Sequence, residues 1–235
     1  IKDIEVAGAG FINFYLAPDW LYRTMESIEK EGSDYGKIDL GKGKKVMVEF
    51  VSANPTGPMH MGNARGGALG DCLASVLEYA GYDVTREFYI NDAGNQIEKF
   101  GKSLSARYIQ QLKGEDAVEF PEDGYQGGDI TEHAKEFIKL YGDKYLDCGE
   151  DERKQALIDY ALEKNISALK TDLEKYRIHY DVWFRESLLH KNDEVTSAIE
   201  RLRKNGYTYD EDGAVWLNCE KMGQEKNLSL IHISE

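Results

Sequence analysis

The chain has 235 residues, is 41% hydrophobic and 31% charged, and carries a formal net charge of −14. That is enough apolar residue for a core, in one large α/β domain or one domain with appendages. It excludes a helical membrane protein, because no apolar run approaches the ~20 residues a spanning helix needs. It also argues against a broadly basic, nucleic-acid-coating surface. The acidity is uneven: residues 1–107 hold 12 Lys+Arg against 15 Asp+Glu, and residues 108–235 hold 17 against 28. Cys72, Cys148 and Cys219 lie far apart with no CxxC, so neither a disulfide framework nor a zinc site is expected, and reduced thiols of a cytoplasmic protein are the expectation.

In chain order, the segment begins IKDIEVAGAGFINF, which is neither a signal peptide nor an initiator sequence, and a start in mid-protein is expected. IEVAGAGFINFYL alternates like a strand with glycines at 8 and 10, and DWLYRTMESIEKEG reads as a short helix. GSDYGKIDLGKGKK is a turn-rich link. VMVEFV (46–51) is an apolar run broken by one Glu, the pattern of a parallel strand buried on both faces. From Gly62 to Ala80, the residues Leu69, Leu73, Val76, Leu77 and Ala80 recur at helical spacing, and Gly81 closes the helix. DVTREFYI (83–90) is the next strand, completing a βαβ unit. Residues 96–110 and 131–177 read as mostly helical, with stripes at Ala134, Phe137, Ile138 and Tyr141, and at Leu157, Tyr160, Ala161, Leu169, Leu173 and Tyr176. Between them lies an acidic, glycine-bearing loop (112–129). A helix at 193–204 leads to a hairpin that turns at Asp212-Gly213.

Between the first strand and its helix sits SANPTGPMHMGN (52–63), which holds two of the chain's four prolines. In open parallel sheets ligands bind at the carboxyl ends of strands, where the loop enters the next helix. The prolines fix the loop's shape, while Gly57 and Gly62 would let a bulky ligand approach the backbone. The helix start offers free N–H groups and the positive end of its dipole to an anion. His60 and Asn63, at i and i+3, would project from one face toward that anion. The pattern suits a nucleotide phosphate, yet it is neither a GxGxxG dinucleotide turn nor a P-loop. A plain helix cap with a surface histidine is the structural alternative. Glu49, near the end of an otherwise apolar strand, is costly unless paired. Its partner would be a bound guanidinium or an internal arginine such as Arg65 or Arg86. Asn54 before Pro55 either contacts a ligand or only shapes the turn. Asn91, Asp92, Gly94 and Gln96 follow the second strand's end, where a substrate crevice and a turn-and-cap role compete.

HMGN resembles the HIGH signature of class I aminoacyl-tRNA synthetases. The longer string VEFVSANPTGPMHMGNARGGALGDCLASVLEYAGYDVTREFYINDAGNQ is similar to the arginyl-tRNA synthetase version. DVWFRESLL (181–189) and NGYTYDEDGAVWL (205–217) resemble that family's catalytic domain, and IEVAGAGFINFYL resembles the end of its N-terminal additional domain. The resemblance implies a Rossmann-like parallel sheet with a helical insertion and ATP-dependent activation of arginine, with Mg2+ accompanying ATP. The arginyl group would then pass to tRNA(Arg), in a monomer with no membrane partner. It places Gly57, His60, Gly62 and Asn63 with ATP, His60 and Asn63 as the catalytic pair, and Glu49, Ser52 and Asn54 with arginine. Asn63 stands where the signature has its second His; its amide can donate a hydrogen bond but carries no charge.

The implied organisation is the end of the N-terminal domain and linker (1–40), the first half of the catalytic domain (41–110), a mostly helical insertion (111–180) and a return to the catalytic domain (181–228). The tail SLIHISE (229–235) departs from the family. The chain is expected to be an N-terminal-to-middle piece that lacks the KMSK loop and the anticodon-binding domain. EKMGQEK (220–226) has no Ser-Lys and is rejected as that loop. His133, His179, His190 and His232 read as structural or exposed, and Trp183, Phe184 and Trp216 as core. A class I synthetase of another amino-acid specificity, or a non-catalytic nucleotide-binding module, are the alternative functions.

Overall fold

The computed structural model describes residues 1–232; the last three residues of the tail expected at 229–235 lie outside the described residues. The chain divides into two compact units, one of Ile1–Val48 with Cys72–Thr85, the other of Glu49–Asp71 with the residues from Arg86 onward. In the first unit, β1 (Asp3–Ala7) and β2 (Phe11–Tyr15) form an antiparallel hairpin with Val6 opposite Ile12, and α1 (Asp19–Glu31) follows. Gly8 and Gly10 have φ of 55° and 104°, the left-handed backbone that a tight hairpin turn needs and that glycine adopts without a Cβ clash.

A second sheet takes β3 (Lys45–Glu49), β4 (Asp83–Ile90) and β5 (Val182–Arg185) in that order. β4 and β5 run parallel, Glu87 opposite Val182 and Ile90 opposite Arg185. Between β3 and β4 runs α2 (Met61–Tyr79), so the expected strand, helix and strand are all present. β3 departs from the two-sided burial that its sequence suggests. Val48 is 9% exposed while its neighbour Met47 is 56% exposed, so this strand buries one face.

The expected apolar face of α2 is likewise reversed. Leu69, Leu73 and Val76 are exposed, whereas Gly67, Gly70 and Ala74 are buried. Size explains the inversion. A Cβ on Gly67 would stand 2.8 Å from Ile178 Cδ1, and a Cβ on Gly70 would overlap the Cβ–Cγ edge of Phe50. The small residues let the helix backbone press onto the sheet, a close approach that leucine would prevent. Phe50 stacks on Tyr180 at 4.6 Å, and Trp183 stacks on Phe88 at 4.6 Å. The Tyr180 hydroxyl donates to Phe50 O at 3.0 Å, and burial pushes its ionisation up. Because there is no void beside Gly70, we expect Gly70→Val to cost about 2–3 kcal/mol by overpacking. For a chain of this size that lowers the melting temperature by about 6–9 °C, measurable by thermal circular dichroism.

Helices α3 (Asn95–Lys113), α4 (Gly128–Tyr141) and α5 (Glu150–Lys175) pack together as the expected helical segment. Their core is Phe100, Leu104, Tyr108, Ile130, Ala134, Phe137, Leu157 and Ala161. Tyr141 and Tyr176, placed in the stripes by spacing, are 44% and 49% exposed at the helix ends. After β5 come α6 (Glu186–Lys191), which the sequence did not signal, and α7 (Glu194–Lys204). β6 (Thr208–Glu211) and β7 (Ala214–Leu217) form the expected hairpin, with φ of 50° at Asp212 and 74° at Gly213, the double positive φ of a type I′ turn. β8 (Leu228–His232) pairs antiparallel with β7, so the tail supplies a strand. Cys72, Cys148 and Cys219 are free thiols. Among the described residues no helix is long and apolar enough to cross a membrane.

Candidate active site

At the end of β3 the chain leaves the sheet through a strained corner. Val51 and Ser52 have φ of 66° and 42°, a left-handed conformation that is unfavourable for a β-branched residue. The corner is held by Ser52, whose hydroxyl donates to Glu49 Oε1 at 2.7 Å and accepts from Tyr89 N at 3.2 Å. Ser52 thereby ties the corner to the next strand. Beyond it Pro55 and Thr56 are buried, and the loop then rises to His60.

His60 and Asn63 form a reciprocal cap on α2. The His60 backbone N–H donates to Asn63 Oδ1 at 3.0 Å, and Gly62 N–H donates to His60 Nδ1 at 3.1 Å. This is the geometry of a capping box, with each side chain satisfying an orphan amide of the first turn. It also decides what remains for a ligand. With Nδ1 accepting, the proton of a neutral ring lies on Nε2, and with Oδ1 accepting, the Asn63 NH2 is left to donate. At Gly62 a Cβ would stand 2.9 Å from the His60 ring, so the glycine makes room for the histidine.

A cavity of about 500 Å³ opens beside this turn. Ser52, Asn54, Gly57, His60 and Asn63 line it, together with Tyr125 and Asp129. Five of the residues singled out from sequence thus meet in one space. Tyr125 and Asp129 were missed, because the 112–129 stretch reads only as an acidic loop. Its fold is explained locally: Tyr125 N–H donates to Ser103 Oγ at 2.9 Å, and Tyr125 packs edge-on against Phe100 at 6.0 Å.

Glu49 adjoins this wall through Ser52, whose hydroxyl donates to its carboxylate at 2.7 Å. It is exposed, so the burial cost inferred from the apolar strand does not arise. Arg86, one of the internal partners considered for it, places its guanidinium 3.4 Å from Asp71. Tyr89, another residue that sequence reasoning passed over, lies nearby. Its hydroxyl is pushed up to about 12, first by burial and then by the charges of Glu186, Glu49 and Asp92. Its ring stacks on Phe184 at 5.6 Å. The proton is thus held more tightly in the folded chain than in the unfolded one. The resulting stability is fully present below pH ~10, the ordinary tyrosine value, and is lost as pH rises toward about 12. In an ultraviolet titration, the difference between wild type and Tyr89→Phe should show a phenolate appearing near pH 12, about two units above free tyrosine.

For the segment after β4, where a crevice and a turn-and-cap role compete, the contacts seen are those of a cap. Asn91, Asp92 and Gln96 are not among the residues that line the cavity beside His60. Asp92, 4% exposed in its side chain, accepts from Ser187 N at 2.8 Å and from Ser187 Oγ at 2.9 Å, and Arg185 lies 3.8 Å away. It borders a separate cavity of about 520 Å³. With its amide turned so that the nitrogen faces the two acceptors, Asn91 donates to Ala93 O at 3.1 Å and to Glu186 Oε2 at 2.9 Å. Gln96 is exposed on α3. Two oxygens beside the free amide and hydroxyl of the first turn of α6 make Asp92 a cap. The other outlying residues are equally structural: Lys221 of EKMGQEK donates to Gly206 O at 2.7 Å, and Trp216 stacks on Tyr209 at 6.4 Å.

Known proteins resemble the chain over most of its length. The family described as tRNA synthetases class I (R), catalytic domain, matches residues 24–233. An arginine–tRNA ligase of Ruminiclostridium cellulolyticum is 60% identical over 231 residues, which is 98% of this chain and 41% of that protein. One from Caldanaerobacter subterraneus subsp. tengcongensis is 61% identical over 231 residues, again 41% of its length. The chain therefore spans about 41% of the length of these curated relatives. A solved arginyl-tRNA synthetase structure from Campylobacter jejuni superposes with a TM-score of 0.78 at 31% identity, over 93% of this chain and 47% of that one. The Thermus thermophilus arginyl-tRNA synthetase, at 21% identity and a TM-score of 0.59 over 99% of this chain and 39% of that one, shares the fold. With its strand–corner–helix turn and its matching span, this chain belongs to the family of class I (R) tRNA synthetase catalytic domains.

Proposed function

We propose that this chain carries the ATP-side half of an arginine-activating site. In the reaction, a carboxylate oxygen of arginine attacks the α-phosphorus of MgATP. The new C–O–P linkage is arginyl-adenylate, and the bond from the α-phosphorus to the bridging oxygen breaks to release pyrophosphate. The arginyl group then passes to the terminal ribose of tRNA(Arg). Such chemistry needs positioning and charge stabilisation and no covalent enzyme intermediate. The observation that carries the reading is the cap: it uses His60 Nδ1 and Asn63 Oδ1 and leaves the imidazole Nε2–H and the amide NH2 as donors beside the cavity. His60 and Asn63 stabilise the charge that develops on the α-phosphate, and Gly57 gives the nucleotide access to the backbone. Ser52, Asn54 and Glu49 take the arginine, with Glu49 holding the guanidinium. The free thiols fit a reducing cytoplasm, and the protein is proposed to act there as a monomer.

Calorimetry on the chain tests this reading. We expect MgATP and arginine each to bind, and cysteine or glutamate in place of arginine to give no heat. Heat from cysteine or glutamate instead would point to a synthetase of another specificity. Binding of MgATP alone, with no amino acid recognised, would favour a nucleotide-binding module.

A further inference from the structure

The loop between the corner and His60 contains Pro55 and Pro58, which have no amide hydrogens to build it into a ladder, so its shape must be set by groups outside it. Pro55 is almost wholly buried, and a buried carbonyl without a donor is costly. The donor comes from α5: Asn165 Nδ2 lies 2.7 Å from Pro55 O, a contact between residues 110 apart in sequence. The other end of the same amide is fixed from α4, where His133 Nε2 lies 2.9 Å from Asn165 Oδ1. The amide nitrogen faces the carbonyl, so its oxygen must accept, and His133 therefore carries its proton on Nε2. The His133 ring packs edge-on against Tyr160 at 6.5 Å. Asn165 is 9% exposed in the middle of a 26-residue helix. Asparagine is a poor residue for a helix interior, and its place here is explained by the loop it reaches rather than by the helix it interrupts.

We infer that Asn165 is a positioning residue for the ATP-facing loop, and that His133 sets the orientation of its amide. The helical segment thus clamps Pro55 and fixes where Gly57 and His60 stand. The inference rests on the proposed function for what the loop binds, but not for the clamp itself. The test measures backbone hydrogen exchange at Thr56, Gly57, Met59 and His60 in the 235-residue chain, together with its dissociation constant for MgATP. In Asn165→Leu, which keeps the bulk and loses both hydrogen bonds, loop exchange should speed up about tenfold and MgATP affinity should fall about tenfold, the scale of one buried hydrogen bond. Exchange in α3 around Phe100 and Leu104 should stay unchanged. His133→Gln retains an N–H donor and should preserve both readouts, while His133→Leu should shift each about threefold. This second pair carries the test should Asn165→Leu fail to fold. Unchanged loop exchange would overturn the inference. So would acceleration spread evenly through α3, which would make Asn165 an ordinary stabilising residue. If wild type binds no MgATP while the loop still loosens in these variants, the clamp stands and the nucleotide reading falls.

Discussion

Glu49→Gln should lower arginine affinity by about thirtyfold to a hundredfold while leaving MgATP affinity within about twofold. The magnitude follows from charge-assisted hydrogen bonds, worth about 1.5–3 kcal/mol. A carboxylate accepts a guanidinium on both oxygens; a glutamine amide offers one acceptor and turns an NH2 toward the cation. Two features bound the effect. Glu49 is exposed in the unliganded chain, so salt will screen its attraction for arginine, and the loss should shrink at high ionic strength. One of its oxygens already accepts from Ser52 Oγ at 2.7 Å, a bond that orients the carboxylate beside the corner. Ser52→Ala separates orientation from charge. It keeps the carboxylate and removes its tether, and should cost about threefold to tenfold, the value of one neutral hydrogen bond. Calorimetric titration with arginine at two salt concentrations measures all of these. Equal arginine affinity in wild type and Glu49→Gln would leave Glu49 as no more than a bracket for the strand end.

Much of this arrangement was legible in the sequence, because it is local. The strand, the proline-stiffened corner and the helix start are adjacent in the chain, and turn residues at fixed offsets encode them. Asp212-Gly213 was readable for the same reason. What escaped depends on residues far apart. Nothing near Asn165 in sequence tells that it reaches Pro55, and nothing near Asp129 tells that it lines the same cavity as His60. Tyr89 looked like one more strand residue, although carboxylates from three other segments surround its hydroxyl. On α2, periodicity marks an apolar stripe without saying which face packs, and the close approach at Phe50 selects glycines for the packed face. For the Asp92 segment a strand end left both a crevice and a cap role open, and only the fold shows the start of α6 taking the Asp92 carboxylate through Ser187. Resemblance to the family supplied the chemistry that neither periodicity nor spacing could give.

His60→Ala should reduce arginine-dependent ATP–pyrophosphate exchange by about a hundredfold to a thousandfold, in a polypeptide of the relatives' full length, with only a few-fold loss of MgATP affinity. A donor that acts on charge developing in the transition state typically contributes that much, whereas its hydrogen bond to ground-state ATP contributes far less. The structure raises a competing explanation, since His60 also caps α2 through Nδ1, and loss of a cap costs about 1 kcal/mol of helix stability. A frayed first turn would misplace Asn63 and imitate a catalytic defect. His60→Asn distinguishes the two, because asparagine is among the strongest capping residues yet is too short to put a donor where Nε2–H stands. If the imidazole proton matters, His60→Asn will keep the thermal stability of wild type and still lose most of the exchange rate. If only the cap matters, both stability and exchange will return together.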